Sequence, residues 1–183
     1  ARYLGNEINT VHKDTSNKNL IRYAQCFPDL YEVGMSHLGS QILYSVLNSD
    51  EDVYCERVYS PAIDMEEILR EKNIPLFALE SREPITNFDF VTFTLQYELS
   101  YTNILNILDL GNIEILAKDR KLDDPFVMVG GPCAYNSEPL ADFVDIVILG
   151  EGEEVNLEVL NEYKEWKKNK TTREDFLMRI SKI

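Results

Sequence analysis

Four stretches of this sequence place glycines and polar side chains directly after a β-rich run, where chemistry would sit. They are PDLYEVGMSHLG (28–39), QYELSYTN (96–103), GGPCAYN (130–136) and GEGEE (150–154). Glycine at such a point permits a turn with positive φ and lets a ligand reach bare backbone; tight turns between a strand and a helix need the same residues. Gly150-Glu151-Gly152-Glu153-Glu154-Val155 opens like a dinucleotide-binding G-x-G-x-x-G loop. Val155 stands where the third glycine belongs, no later strand brings a ribose-binding acid, and three carboxylates would face the pyrophosphate. The three acids suit the first turn of a helix instead. No G-x-x-x-x-G-K-[ST] occurs, which removes P-loop ATP hydrolysis. His37 has no histidine, cysteine or aspartate at metal-ligand spacing and reads as a helix-start histidine making a hydrogen bond, while His12 lies in an irregular segment. Cys26, Cys55 and Cys133 are too few and too scattered for disulfides, a zinc ribbon or an iron-sulfur ligand set, and read as reduced thiols. Cys133 follows a glycine pair but has no base beside it. Spacing alone assigns no catalytic residue and no metal ligand.

The elements that would hold these loops alternate between strand and helix. Residues 1–19 show no sustained period and read as an N-terminal arm. Residues 20–27 (LIRYAQCF) form a strand leaving at Pro28-Asp29, and a helix capped by Ser36 carries Leu38, Ile42, Leu43, Val46 and Leu47 on one face. Residues 53–59 (VYCERVY) are a second strand, followed by a short helix after Asp64 with acids first and bases last. Pro75 demotes 74–79 to an edge strand or covering segment. A strand at 88–95 (FDFVTFTL) leads into a helix at 99–110 stopped by Gly111. Residues 113–117, 126–129 and 145–149 (DIVIL) are further strand candidates, the last apolar enough for burial on both faces of a parallel sheet. Helices follow at 154–170 and, capped by Thr171-Thr172, at 173–183. The expected fold is α/β: a doubly wound, mostly parallel, flavodoxin-like (Rossmann-like) sheet with helices on both faces. The four loops then share its carboxyl rim, where open sheets bind ligands.

Length and composition bound the function. The 183 residues, 44% hydrophobic, can bury about 70% of the unfolded surface. Eighteen basic against thirty-two acidic residues leave a net charge of −14, which opposes direct binding of nucleic acid or anionic membrane. No apolar run of membrane-spanning length and no signal-peptide pattern occurs, and mean hydropathy is −0.26, so the expected compartment is the cytoplasm. The chain begins at Ala1 and ends on a charged helical pattern, which reads as a piece of a longer protein.

The ordered blocks FPDLYEVGMSHLGSQILYSVLN, CERVYSPAIDMEEILR, PLFALESREPITNFDFVTFTLQYELSYTNILNILDL and GGPCAYNSEPLADFVDIVILGEGEE resemble the N-terminal, vitamin B12-binding-like domain of a family of bacterial radical SAM proteins. The resemblance covers nearly the whole chain. It implies an arm (1–19), a cobalamin-binding-like α/β domain (20–170), and a helix (171–183) leading to a radical SAM domain of the same polypeptide. That domain would hold a [4Fe-4S] cluster and S-adenosylmethionine, and the present segment would be catalytically silent alone. Cobalamin in this domain would meet Asp29, Tyr31, Glu32, Gly34, Ser36, His37 and Gly39 after the first strand. It would also meet Gln96, Tyr97 and Ser100, then Gly130, Gly131 and Pro132, and finally Gly150, Glu151, Gly152 and Glu153. The D-x-H-x-x-G motif of histidine-ligated cobalamin proteins is missing, because Met35 and Ser36 precede His37 and Gly39 follows one residue too soon. Cobalt ligation by His37 is therefore not expected. The alternative is a cofactor-free scaffold that docks the radical SAM barrel or its macromolecular substrate, its rim plugged by Tyr31, Tyr97, Tyr101 or Tyr135.

Overall fold

The computed structural model describes residues 2–183. Five parallel strands form one sheet in the order β2-β1-β3-β4-β5, where β1 is Ile21–Leu30, β2 Val53–Ser60, β3 Phe90–Thr94, β4 Phe126–Gly130 and β5 Ile146–Val147. This is the flavodoxin-like order, and its direction reverses between β1 and β3. The helices are α1 (Tyr31–Gly34), α2 (Leu38–Ser49), α3 (Ile63–Lys72), α4 (Tyr101–Leu110), α5 (Gly152–Asn169) and α6 (Arg173–Ile180). Alternate side chains of each strand enter opposite layers. Ala24, Cys26, Val91, Phe93, Val127 and Val129 pack with Leu69 of α3 and Ile104, Ile107 and Leu108 of α4. Ile21, Tyr23, Phe90, Phe126 and Met128 pack with Tyr44 and Leu47 of α2, Val159, Leu160, Tyr163 and Trp166 of α5 and Phe176 of α6. Among the described residues no helix is long and apolar enough to cross a membrane.

Several boundaries differ from the sequence expectation for identifiable reasons. β1 continues through Pro28 and Asp29 to Leu30, with a register shift after Phe27. Proline fits there because β3 pairs with β1 only as far as Cys26, so no ladder partner needs its missing N–H. The cap of α2 is His37, whose Nδ1 accepts from the Ser40 N–H at 3.1 Å, and not Ser36. Residues 113–117 form no strand: β3 already has both neighbours, and the buried Arg120 guanidinium takes the Glu114 and Ile115 carbonyls at 3.0 and 3.1 Å. Residues 74–79 are a covering segment with one antiparallel bridge, Phe77 to Pro84. β5 has shrunk to two residues at the sheet edge, where Val147 and Leu149 are exposed, so burial on both faces fails there. The arm lies on the domain, with the Val11 N–H donating to Tyr44 Oη at 2.9 Å and Lys13 Nζ donating to the Asn48 and Asp50 carbonyls at the end of α2.

Candidate functional site

A cleft of about 370 Å³ opens at the carboxyl rim and descends between α2 and α5 over β1, β3 and β4, at the reversal of strand order. The side chains on this face explain why it is empty there. In register across the sheet, the lower row is Tyr23, Phe90 and Phe126; the next is Gln25, Thr92 and Met128; the uppermost pair is Thr94 and Gly130. Aromatic bulk fills the lower row, where Phe90 and Phe126 meet Tyr163, Trp166 and Phe176 at ring separations of 4.7 to 6.2 Å. Two rows higher the side chains are too small to reach the helices. Leu43 and Leu47 of α2 form one wall, and Gly152 and Asn156 of α5 the other. A Cβ on Gly152 would lie 3.3 Å from Leu43 Cδ2 and 3.2 Å from Asn156 Nδ2, so glycine sets how closely α5 starts against α2. At the base, Tyr23 Oη donates to Asn156 Oδ1 at 2.8 Å, and Asn156 Nδ2 donates to the Gly152 carbonyl at 2.6 Å.

The rim loops shape the mouth. Gly131 has φ +106°, and a Cβ there would stand 3.0 Å from the Leu95 carbonyl oxygen; Gly150 has φ +114° with open space around it. Both need glycine for their backbone conformation. Glu151 and Glu153 lie at the mouth, and among the described residues no lysine or arginine lines the cleft. His37 lines it from the start of α2, its ring 5.2 Å from that of Phe27. The Ser40 N–H donates to His37 Nδ1, so in the neutral ring the proton sits on Nε2, which is then a donor and not a metal ligand. Cys133 Sγ donates to the Gln96 carbonyl at 3.3 Å, and burial, with Glu98 nearby, pushes the thiol above its ordinary value; this is the opposite of an activated nucleophile. Among the described residues no three His, Cys, Asp or Glu side chains converge as a metal site.

Of the rim residues expected from sequence, the structure brings His37, Gly39, Gln96, Gly130, Gly131, Pro132, Gly150, Glu151, Gly152 and Glu153 around this cleft. The others lie elsewhere. Tyr97 Oη donates to Asp29 Oδ2 and Ser100 Oγ to the Tyr97 carbonyl at 2.8 Å, which braces the β1 loop against the β3 loop. Tyr31 donates to Glu7 of the arm, and Glu32 pairs with Arg2. Gly34 packs so closely on Phe27 and Tyr59 that a Cβ would come within 2.6 Å of a ring carbon. Ser36 stands just ahead of the His37 cap, outside the cleft lining. Of the four tyrosines considered as plugs, Tyr135 alone lines the cleft, and it is largely exposed. Sequence reading passed over Gln25, Thr92, Thr94, Leu43 and Asn156. The signal was present in the strands themselves: Phe90, Thr92 and Thr94 share a face by period two, and the change from aromatic to hydroxyl along it marks where packing stops.

With this geometry in place, comparison with known proteins is informative about lineage. Residues 39–183 match the family described as radical SAM proteins, N-terminal. An uncharacterized protein of Methanocaldococcus jannaschii is 30% identical over 149 residues, which is 79% of this chain and 27% of that protein. The chain thus aligns with about a quarter of the relative's length. No solved structure gives a significant match. By the family match across most of its length, the chain belongs to the N-terminal domains of radical SAM proteins.

Proposed function

We propose that this domain is a cobalamin-binding-like module: the cleft receives the flat base of the cofactor's nucleotide tail, and the corrin ring lies on the carboxyl rim, facing the radical SAM domain of the same polypeptide. The observation that carries this reading is the cleft itself, opening at the strand-order reversal of a flavodoxin-like sheet. The residues present fit such a tail. Leu43, Leu47 and Met128 offer apolar walls to an aromatic base, and Thr94 offers a hydroxyl; Gln25 and Thr92 line the slot and already donate to the Ser40 and Ala24 carbonyls. A corrin ring is wider than the slot and belongs outside it, where Gly130, Gly131 and Gly150 leave backbone uncovered. Among the described residues no basic side chain lines the cleft and Glu151 and Glu153 stand at the start of α5, so a tail phosphate depends on the uncovered backbone of the glycine turn at Gly130 and Gly131. Cobalamin supplies an organometallic cobalt centre able to carry a methyl group; [4Fe-4S] and S-adenosylmethionine chemistry belongs to the radical SAM domain.

The test is a visible-spectrum and calorimetric titration of the full-length protein with hydroxocobalamin. Saturable binding is expected in the wild type and in His37→Ala, and is lost in Leu43→Trp, which fills the slot from α2. Failure of the full-length protein to bind refutes the cofactor reading. That result favours the cofactor-free scaffold, for which the specific observations are the two carboxylates at the mouth and the Tyr97–Asp29 brace across the rim.

A further inference from the structure

We propose that the groove between the N-terminal arm and α2 is a second ligand site, for a monocarboxylate, in which the ligand's carboxylate takes the place of Glu7 on Arg57. This groove, of about 880 Å³, lies on the other side of α2 from the rim cleft, and Gln25 borders both. Arg57 is its only basic side chain among the described residues. The guanidinium is already neutralised from beneath: Nε donates to Glu80 Oε1 at 2.7 Å, the Arg57 N–H donates to Glu80 Oε2 at 2.7 Å, and the Glu80 side chain is wholly buried. The outer edge faces the groove and takes a second anion, which in this structure is the Glu7 carboxylate. Nη1 donates to Glu7, Nη2 donates to Thr10 Oγ1 at 3.3 Å, and the Tyr44 ring lies 5.0 Å from the guanidinium carbon. The second Glu7 oxygen accepts from Tyr31 Oη. Two donors aimed at two oxygens suit a carboxylate, and the net charge of −14 disfavours a polyanion.

The arm is built so that Glu7 can leave without unfolding anything. It is anchored at Gly5, against the Leu79 carbonyl, and at Val11, on Tyr44. Between those points Asn6, Ile8 and Asn9 border the groove but are exposed, Ile8 completely, and Glu7 is the one acidic side chain the strap turns into it. Below it, Phe27, Tyr44 and Tyr59 give an aromatic floor, and Ser45 and Asn48 a neutral polar wall, for the body of an organic acid.

Propionate reproduces the Glu7 side chain and is the probe, with propionamide and sodium chloride as controls, read by thermal shift on the full-length protein. In Glu7→Ala, propionate raises Tm saturably and propionamide does not. The wild type shows the same saturable shift with about tenfold weaker affinity, because the tethered carboxylate competes. Tyr31→Phe, which leaves the core untouched, weakens propionate severalfold in the Glu7→Ala background. Absence of a propionate-specific shift in Glu7→Ala overturns the site, and a shift confined to that variant and missing from the wild type overturns its use by a ligand. Neither result bears on cobalamin binding at the rim.

Discussion

His37 closes the first turn of α2 with one ring nitrogen and leaves the other as a donor beside the cleft, so its two possible roles separate under substitution. In His37→Ala the cap is lost and stability falls by about 1 kcal/mol, a typical cap value, measured by urea unfolding. Cobalamin affinity stays unchanged; its loss would make His37 a ligand after all. Gly131 carries the opposite kind of constraint, since φ +106° and the nearby Leu95 carbonyl both exclude a side chain. Gly131→Ala is expected to cost about 1–3 kcal/mol through backbone strain, and thermal unfolding checks it. Glu7 has a pH signature. Partial burial works against its carboxylate ion, but the Tyr31 hydroxyl and Arg57 prevail and hold its pKa below the ordinary 4.5. A depressed folded value means the strap's contribution is complete above that ordinary value and disappears as pH falls through the lowered one. Of the groups around it, Arg57 and Tyr31, the last pushed up to about 12 chiefly by its bond to Glu7, keep their charge state through this range, while burial raises the Glu80 carboxyl, which therefore takes up its proton at higher pH than Glu7. Hydrogen exchange of the amides of residues 6–10, which lie between the two anchors, should therefore stay slow at neutral pH in the wild type and quicken in Glu7→Gln. Equal rates in the two would show that Glu7 does not hold the strap.

Among the elements, α6 shows how a helix of eight residues is kept in place. Its first residue, Arg173, lies over the Phe126 ring at 4.0 Å and donates to the Asp124 and Pro125 carbonyls at 2.6 and 3.2 Å. Asp145 Oδ2, almost wholly buried, takes Arg173 at 3.0 Å, Arg120 at 2.9 Å and the Val127 N–H at 2.7 Å. One carboxylate thus ties α6, the 113–125 segment and the start of β4 together. Asp145→Ala leaves two buried guanidinium groups without their counterion and is expected to cost about 3–5 kcal/mol; a drop below about 1 kcal/mol in urea unfolding would show that the carbonyls alone suffice. The same cluster explains what the sequence could not reveal. Period two and three-to-four spacing mark β1 to β4 and the long helices, because those patterns are local. That 113–117 would give its carbonyls to Arg120, or that β5 would sit exposed at an edge, depends on partners far away in the chain. The rim was readable as the set of loops after strands. Which loops face the cleft was not, because Gly34 packs on Phe27 and Tyr59 and draws α1 away from it.

Taken as a whole molecule, the domain is uneven: its acidic surface is interrupted by large apolar side chains on the loops at the carboxyl end. Leu38 follows β1, Leu99 follows β3, Tyr135 follows β4 and Leu149 follows β5, each more than half exposed. Single exposed leucines are ordinary, but three leucines and a tyrosine on the same rim suit a surface that another body covers. On the proposed reading that body is the radical SAM domain, and the placement is chemically sensible, since a cofactor lying on the rim would then be enclosed between the two. Hydrogen exchange on the full-length protein and on residues 1–183 alone distinguishes the cases. Amides of residues 96–103 and 130–136 are expected to exchange more slowly in the full-length protein, while those of α3 and of the arm are unchanged. A Leu38→Glu, Leu99→Glu pair should remove that protection and leave the Tm of residues 1–183 unaltered, because neither side chain belongs to the core. Equal exchange at the rim in both forms would place the radical SAM domain on another face, and the cleft would then open to solvent and not to the chemistry it is proposed to serve.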